Sequence, residues 1–286
     1  MARFTGPIDL HLHSNHSDGT EAPAEVMRQA HAYGVRTAAL TDHDTTSGWA
    51  EAAEAASDLG MTFVPGMELS AKHGWRSVHM LAYLVDPSDA ALLAECARIR
   101  DDRIGRAERI VRNIARDFDL HWDHVLAQTT GDATVGRPHI ADALIAQGIV
   151  RDRTEAFEGI LHPRTGYYEP HYAPDPFTAI ELILGAGGVP VMAHPATVSR
   201  DHMLPVAVID ELVDAGLAGL EIGHRENTER GKKALQKIAD RRDLIVTGSS
   251  DYHGAGKPNR PGENTTTDAA LARIVERATG NAPSFP

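Results

Sequence analysis

With 286 residues, 42% of them hydrophobic, the chain has the material for one large domain or a barrel carrying an insertion. A single cysteine, Cys96, excludes a disulfide framework and points to a reducing, cytoplasmic setting. MARFTGPIDL has no apolar leader core, and no run approaches a membrane span, so no membrane partner is expected. A formal charge of −12 excludes general duplex DNA binding through a basic face, but not a phosphorylated substrate held through cations.

In chain order, PIDLH reads as a strand and APAEVMRQAHAYG as a helix with apolar residues at helical spacing and a Gly stop. RTAALTD is the next strand, SGWAEAAEAASDLG a helix with Ser47 as candidate cap, and MTFVPGMELSA and SVHMLAYLV are two further strands. Residues 97–175 break the rhythm with a long charged helix, shorter helical patterns including GRPHIADALIAQG, and the Pro- and Tyr-rich loop HPRTGYYEPHYAPDP. They are expected to form a helical insertion capping the mouth of a barrel built from 1–96 and 176–286. From Pro176 the alternation resumes: FTAIELILGAGG (helix), VPVMAHP (strand), MLPVAVIDELVDAG (helix), LAGLEIGH (strand), NTERGKKALQKIADRR (helix) and LIVTGSSD (strand). Such alternation favours parallel β-α units and an α/β barrel.

Sixteen histidines are present, and many fall with carboxylates at the C-terminal ends of predicted strands. His11 and His13 close the first strand, His43 follows the second, Glu68 the third, and His79 lies in the fourth. His194, then His224, then Asp251 with His253 end the last three. Strand ends of a β/α barrel converge on one mouth, where active sites sit. A lone His-x-His is commonly an exposed pair, a lone His79 a core histidine, and Asp42 or Asp44 a cap or orienting partner. Coincidence at every strand end would be needed for all of these at once. His16, His31, His73, His121, His124 and His202 lack such placement and read as solvated or locally bonded.

Imidazole and carboxylate are ligands for Zn, Mn or Fe, and a His-x-His pair on a strand puts both rings on one face. Two or three divalent metal ions held close together generate a bridging hydroxide near neutral pH and clamp an in-line phosphoryl displacement.

DLHLHSNHSDG, ALTDHDT, PGMELSA, SVHMLAY, VMAHP and TGSSDYHG resemble, in order, the motifs of the PHP (polymerase and histidinol phosphatase) family. With GRPHIA in the insertion, the layout is most similar to a branch of metal-dependent phosphoesterases. That branch includes nucleoside 3′,5′-bisphosphate phosphatases and 5′-to-3′ exoribonucleases of short RNA. The resemblance implies a distorted seven-stranded TIM-like (β/α)7 barrel and a trinuclear metal site. It assigns His11, His13, Glu68 and Asp251 to one metal, bridging Glu68 with His79 and His194 to a second, and Asp18, His43 and His253 to a third. Many members use histidine where Asp18 stands, so His16 is the alternative there.

His194, His224 and Asp251 stand as catalytic candidates, His224 as general acid or phosphate contact. Arg137, His139, Arg225 and Lys257 stand as substrate contacts, and Tyr167, Tyr168 and His171 as a base-stacking or simply packed loop. Members of the branch commonly place an arginine after AHP; here the nearest is Arg200. The expected substrate is a small phosphorylated nucleotide or the 5′ end of short RNA. A histidinol-phosphatase-like enzyme and a non-catalytic PHP module are the alternatives. An amidohydrolase built on a carboxylated lysine has no residue to use, since no lysine occurs from His73 to Gly231.

Overall fold

The computed structural model of the protein describes residues 4, 6–129, 135–197 and 203–286. Seven strands form one sheet in sequential order: β1 (Ile8–Leu12), β2 (Thr37–Leu40), β3 (Thr62–His73), β4 (Arg76–Tyr83), β5 (Val189–Met192), β6 (Gly219–Gly223) and β7 (Ile245–Gly248). The sheet curls until its ends nearly meet. His13 donates to the Tyr252 carbonyl just past β7 at 2.8 Å, and Thr266 donates to the Ile8 carbonyl at 2.9 Å.

Helices α1 (Pro23–Ala32) and α2 (Trp49–Asp58) separate the first three strands, and each of those strand pairs is parallel. The same holds for β5, β6 and β7, joined through α8 (Val206–Asp214) and α9 (Glu229–Arg242). Strand β4 departs from the uniform parallel pattern and runs antiparallel to both neighbours. The cause is local. Only Gly74 and Trp75 join β3 to β4, Gly74 has φ of 61°, and a two-residue turn can connect only antiparallel strands. Ser47 does not cap α2. Gly48 takes the cap position, and the Ser47 hydroxyl lies 2.7 Å from His16 Nδ1.

On β2 to β5, residues on opposite faces enter different cores, as a period of two requires. Met80, Ala82 and Met192 pack with Met27, Ile180 and Leu235 of the surrounding helices. Leu81, Tyr83, Val191, Val64 and Ile245 fill the inside, which α10 (Asp268–Arg277) closes with Leu271 and Ile274. Between β4 and β5 come α3 (Ala90–Ile114), α4 (Trp122–Leu126), α5 (Arg137–Ala146), α6 (Arg153–Glu158) and α7 (Pro176–Gly185). Helix α3 spans about 37 Å at the α-helical rise. Its first turns (Leu92, Cys96, Ile99) join the barrel's core, whereas Ala107, Ile110 and Ile114 join a separate core with Ile140, Leu144 and Leu161. Among the described residues no helix is long and apolar enough to cross a membrane.

Leu81 is fully buried inside the barrel. Leu81→Ala should lower unfolding free energy by about 2–5 kcal/mol in urea titrations; a loss below about 1 kcal/mol would contradict this packing.

Candidate metal centre

Three devices bring the polar side chains together. The first is strand periodicity. Asp9, His11 and His13 share one face of the first strand and its continuation, and His11 Nε2 comes within 3.0 Å of His13 Nε2. The second is the long β3–β4 hairpin. Glu68 sits inside β3 rather than at its end, as His79 sits inside β4, and Ser70 is the residue paired with His79. The third is local strain. His194 just past β5, Asp251 just past β7 and Asp44 past β2 have φ of 31°, 55° and 56°, three of the five non-glycine residues with positive φ among those described. Left-handed backbone at such residues costs on the order of 1–3 kcal/mol and persists where the surroundings over-determine it.

Glu68 is the hub. Its Oε1 lies 2.6 Å from His79 Nδ1 and 3.0 Å from His194 Nε2. Its Oε2 lies 3.1 Å from His13 Nε2, 3.3 Å from His11 Nε2 and 3.3 Å from His43 Nδ1. Asp251 Oδ1 is 3.4 Å from both His11 Nε2 and His13 Nε2, and its Oδ2 is 2.7 Å from Lys257 Nζ. Asp18 Oδ1 is 3.1 Å from His253 Nε2 and 3.7 Å from His13 Nδ1, and its Oδ2 is 3.9 Å from His43 Nε2. Every one of these groups but Asp18 and Lys257 is buried.

Burial alone would neutralise the carboxyls, yet all three are held ionised. Glu68 is drawn well below the usual carboxylate range by His79, His43 and His11. Asp251 is drawn down by Lys257, His253 and His11, and Asp18 by His253, His43 and His13. Burial also opposes charge on the imidazoles. It prevails at His43, helped by His79 and His13, and at His253, helped by Lys257 and His13. At His13 it is outweighed by hydrogen bonds with Asp251 and Glu68, which lift the ring to about 9. Glu221, Glu68 and Asp251 likewise outweigh burial and raise His11 well above the ordinary imidazole value.

This donor set fits divalent cations. Two imidazole nitrogens 3.0 Å apart, each within 3.4 Å of the same Asp251 oxygen, balance only if extra protons or a cation lie among them. Four overlapping groups have ligand atoms all within 4.8 Å of one another: His11, His13, Glu68 and Asp251; His43, Glu68 and His79; His13, Asp18 and His43; and His11, His194 and Glu221.

Surrounding carboxylates orient these residues. Asp42 accepts from Ser14 N, Ser14 Oγ and Ser17 Oγ at 2.7, 2.6 and 2.6 Å, fixing the loop that carries Asp18. Asp44 accepts from Ser70 N and Ser70 Oγ at 2.7 and 2.8 Å. Asp9, pushed up to about 6 by burial, accepts from Ser250 N and Gly262 N at 3.0 and 2.8 Å, linking β1 to the loop of Asp251. Glu221 is the residue sequence reasoning missed. It lies 3.1 Å from His11 Nδ1 and accepts from the His194 backbone N–H at 2.9 Å. A lone glutamate inside LEIGH carries no spacing signal of its own.

The remaining candidates divide by location. His224 Nε2 lies 3.4 Å from Asp251 Oδ2, and its ring centroid is 5.1 Å from that of His194. His16 is held at Ser47, away from the Asp18 contacts. His139 is buried and its Nδ1 accepts from the Gly136 N–H at the start of α5. Arg137 lies over the Phe157 and Tyr168 rings, and Arg225 pairs with Glu263 at 3.1 Å. Tyr167 donates to Asp117 at 2.7 Å, and His171 Nδ1 accepts from Arg106 at 2.8 Å. Arg200 and His202 lie outside the described residues.

Residues 9–121 match the model of the PHP domain. A 3′,5′-nucleoside bisphosphate phosphatase of Chromobacterium violaceum is 34% identical over 271 residues, covering 94% of this chain and 95% of the relative. A 5′-3′ exoribonuclease of Haemophilus influenzae is 31% identical, covering 87% and 91%. Among solved structures, a protein of Bifidobacterium adolescentis predicted to be a metal-dependent phosphoesterase superposes with a TM-score of 0.94 at 40% identity, covering 97% of this chain and 98% of that one.

Because His13 carries a proton up to about pH 9 without metal, a cation must displace it. Apparent Mn²⁺ affinity should therefore rise with pH between about 6 and 9, with protons released in calorimetry across buffers of different ionisation enthalpy; pH-independent binding would contradict the site. A Cβ on Gly19 would come within 2.5 Å of the His13 carbonyl oxygen. Gly19→Ala should thus displace the Asp18 loop and weaken Mn²⁺ binding about 10–100-fold, read by the same calorimetry, whereas unchanged affinity would show that Asp18 holds no ion.

Proposed function

The chain belongs to the PHP-domain family, and from that premise we propose that it is a metal-dependent phosphoesterase acting on small phosphorylated nucleotides or the 5′ ends of short RNA. The observation that carries this reading is Glu68, one buried carboxylate contacted by five histidines and flanked by Asp251 and Asp18. Supporting it, the relatives named above act as a nucleoside bisphosphate phosphatase and a 5′-3′ exoribonuclease.

His11, His13, Glu68 and Asp251 would hold one divalent ion; Glu68, His79 and His194 a second; Asp18, His43 and His253 a third. Their chemistry suits Mn, Fe or Zn. When bound, such ions neutralise phosphate oxygens and lower the pKa of water enough for attack on phosphorus near neutral pH.

The chain's own groups supply orientation and hydrogen bonds. Lys257, 2.7 Å from Asp251 Oδ2, keeps that carboxylate ionised and fixes its rotation. His194 is held through its backbone by Glu221 and through its ring by Glu68. His224 Nδ1 accepts from the Glu226 N–H at 3.1 Å, so in the neutral ring the proton sits on Nε2, facing Asp251 Oδ2. That N–H is placed to donate to a phosphate oxygen, making His224 a phosphate contact in this reading.

With metals saturating, Glu68→Ala should lower phosphate release from adenosine 3′,5′-bisphosphate by on the order of 10³-fold or more. His224→Ala should lower kcat/KM by about 10-fold or more. A Glu68→Ala protein of full activity would overturn the reading.

A further inference from the structure

We propose that the tip of the β3–β4 hairpin, Trp75 backed by Arg76, is a stacking platform for a base of single-stranded RNA whose 5′ end lies at the metal centre. The inference rests on the phosphoesterase reading and deepens it, because such a platform selects short RNA over a single nucleotide.

Strand β3 does not stop at the metal centre. It runs on from Glu68 to His73, and β4 returns from Arg76 to His79, so the turn at Gly74 and Trp75 stands beyond the histidines that meet at Glu68. Four residues separate Trp75 from His79, about 13 Å at the rise of an extended strand. That is beyond the base of a nucleotide whose phosphate sits at the metals, and within reach of the bases that follow it in a chain. The hairpin is also held in place. The Lys72 N–H donates to the Pro174 carbonyl at 2.8 Å, and Lys72 Nζ donates to the His171 carbonyl at 2.7 Å.

Trp75 is 68% exposed, more than any other large hydrophobic side chain among the described residues. Scattered exposed leucines need no explanation, but tryptophan is highly buried on average, and a tip that needed only solubility would carry a polar residue. What the ring does meet is a cation: the Arg76 guanidinium lies 5.2 Å from its centroid. Among the described residues no second ring stacks on Trp75, and Arg76 has no carboxylate within 4.0 Å.

The surrounding charge has one sign. From Leu69 to Val85 the sequence holds no Asp or Glu, while Lys72, His73 and Arg76 flank Trp75, in a chain of −12. An exposed aromatic set among cations suits single-stranded nucleic acid, whose bases stack on the ring while its phosphates are drawn to the charges. A path joins this tip to the metal centre. Arg76, Ser77, His79 and His194 line one groove, and Ser77 Oγ lies 3.2 Å from His79 Nε2. The surface that touches two proposed metal ligands thus extends to the neighbour of Trp75.

The test compares kcat/KM for a 5′-phosphorylated adenosine trinucleotide with that for adenosine 3′,5′-bisphosphate in the metal-loaded protein. Trp75→Ala, a surface change that leaves the core intact, should lower the ratio of the first to the second about tenfold, chiefly through KM for the trinucleotide. Trp75→Phe should recover most of the loss. A trinucleotide abasic at its second and third positions should be turned over alike by Trp75→Ala and unaltered protein; a tenfold difference persisting there would overturn stacking. A ratio unchanged within about threefold overturns the platform, and a dimer turned monomer by the same variant would assign Trp75 to a second copy of the chain instead. If the unaltered protein hydrolyses neither substrate, the phosphoesterase reading fails and tryptophan fluorescence decides the platform. The trinucleotide must then quench the unaltered protein, and Trp75→Phe, which keeps Trp49 and Trp122, must lose most of that quenching; equal quenching rejects the site.

Discussion

A carboxylate cannot be buried without compensation, and Glu68 is fully buried inside a barrel. Most of the mouth can be understood as the answer to that one charge. Five imidazoles reach it from β1, β4 and the segments after β2 and β5, so four separate pieces of chain must be positioned within hydrogen-bonding distance of two oxygen atoms. The same imidazoles bring Asp251 and Asp18 with them. The outer carboxylates Asp9, Asp42 and Asp44 then fix the loops through backbone and serine donors rather than joining the cluster. The left-handed backbone at Asp44, His194 and Asp251 is the conformational cost of this convergence.

The insertion is tied to the barrel at two places. The barrel's strand ends provide imidazoles and carboxylates, groups that suit cations. Helix α3 runs from the barrel to the insertion: its first turns are anchored in the barrel core and its later turns belong to the insertion's core. Arg153 of α6 adds a second tether. It pairs with Asp142 at 2.6 Å and donates to the Asp18 carbonyl at 3.3 Å, tying α5 and α6 to the loop of a proposed metal ligand.

The barrel and the convergence of His11, His13, His43, Glu68, His79, His194, Asp251 and His253 were legible because each residue sits in or just after an apolar strand of unmistakable period. Asp18 was separable from His16 only in three dimensions: both occupy one loop, and the side chain that turns inward depends on the Asp42–Ser14–Ser17 hydrogen bonds. Glu221 was hidden because a lone glutamate inside a strand gives no spacing signal until its partner, His11, is known. The antiparallel β4 was hidden by an expectation of uniform β-α units, although the short turn at Gly74 carried the information.

The central claim, that the Glu68-centred cluster works by holding divalent ions, is tested most directly by titrating metal and activity together. Protein stripped with a chelator should release no phosphate from adenosine 3′,5′-bisphosphate. Activity should return in proportion to bound Mn²⁺, measured by mass spectrometry, up to about two or three ions per chain. Full phosphate release from stripped protein holding less than about one ion per ten chains would contradict it.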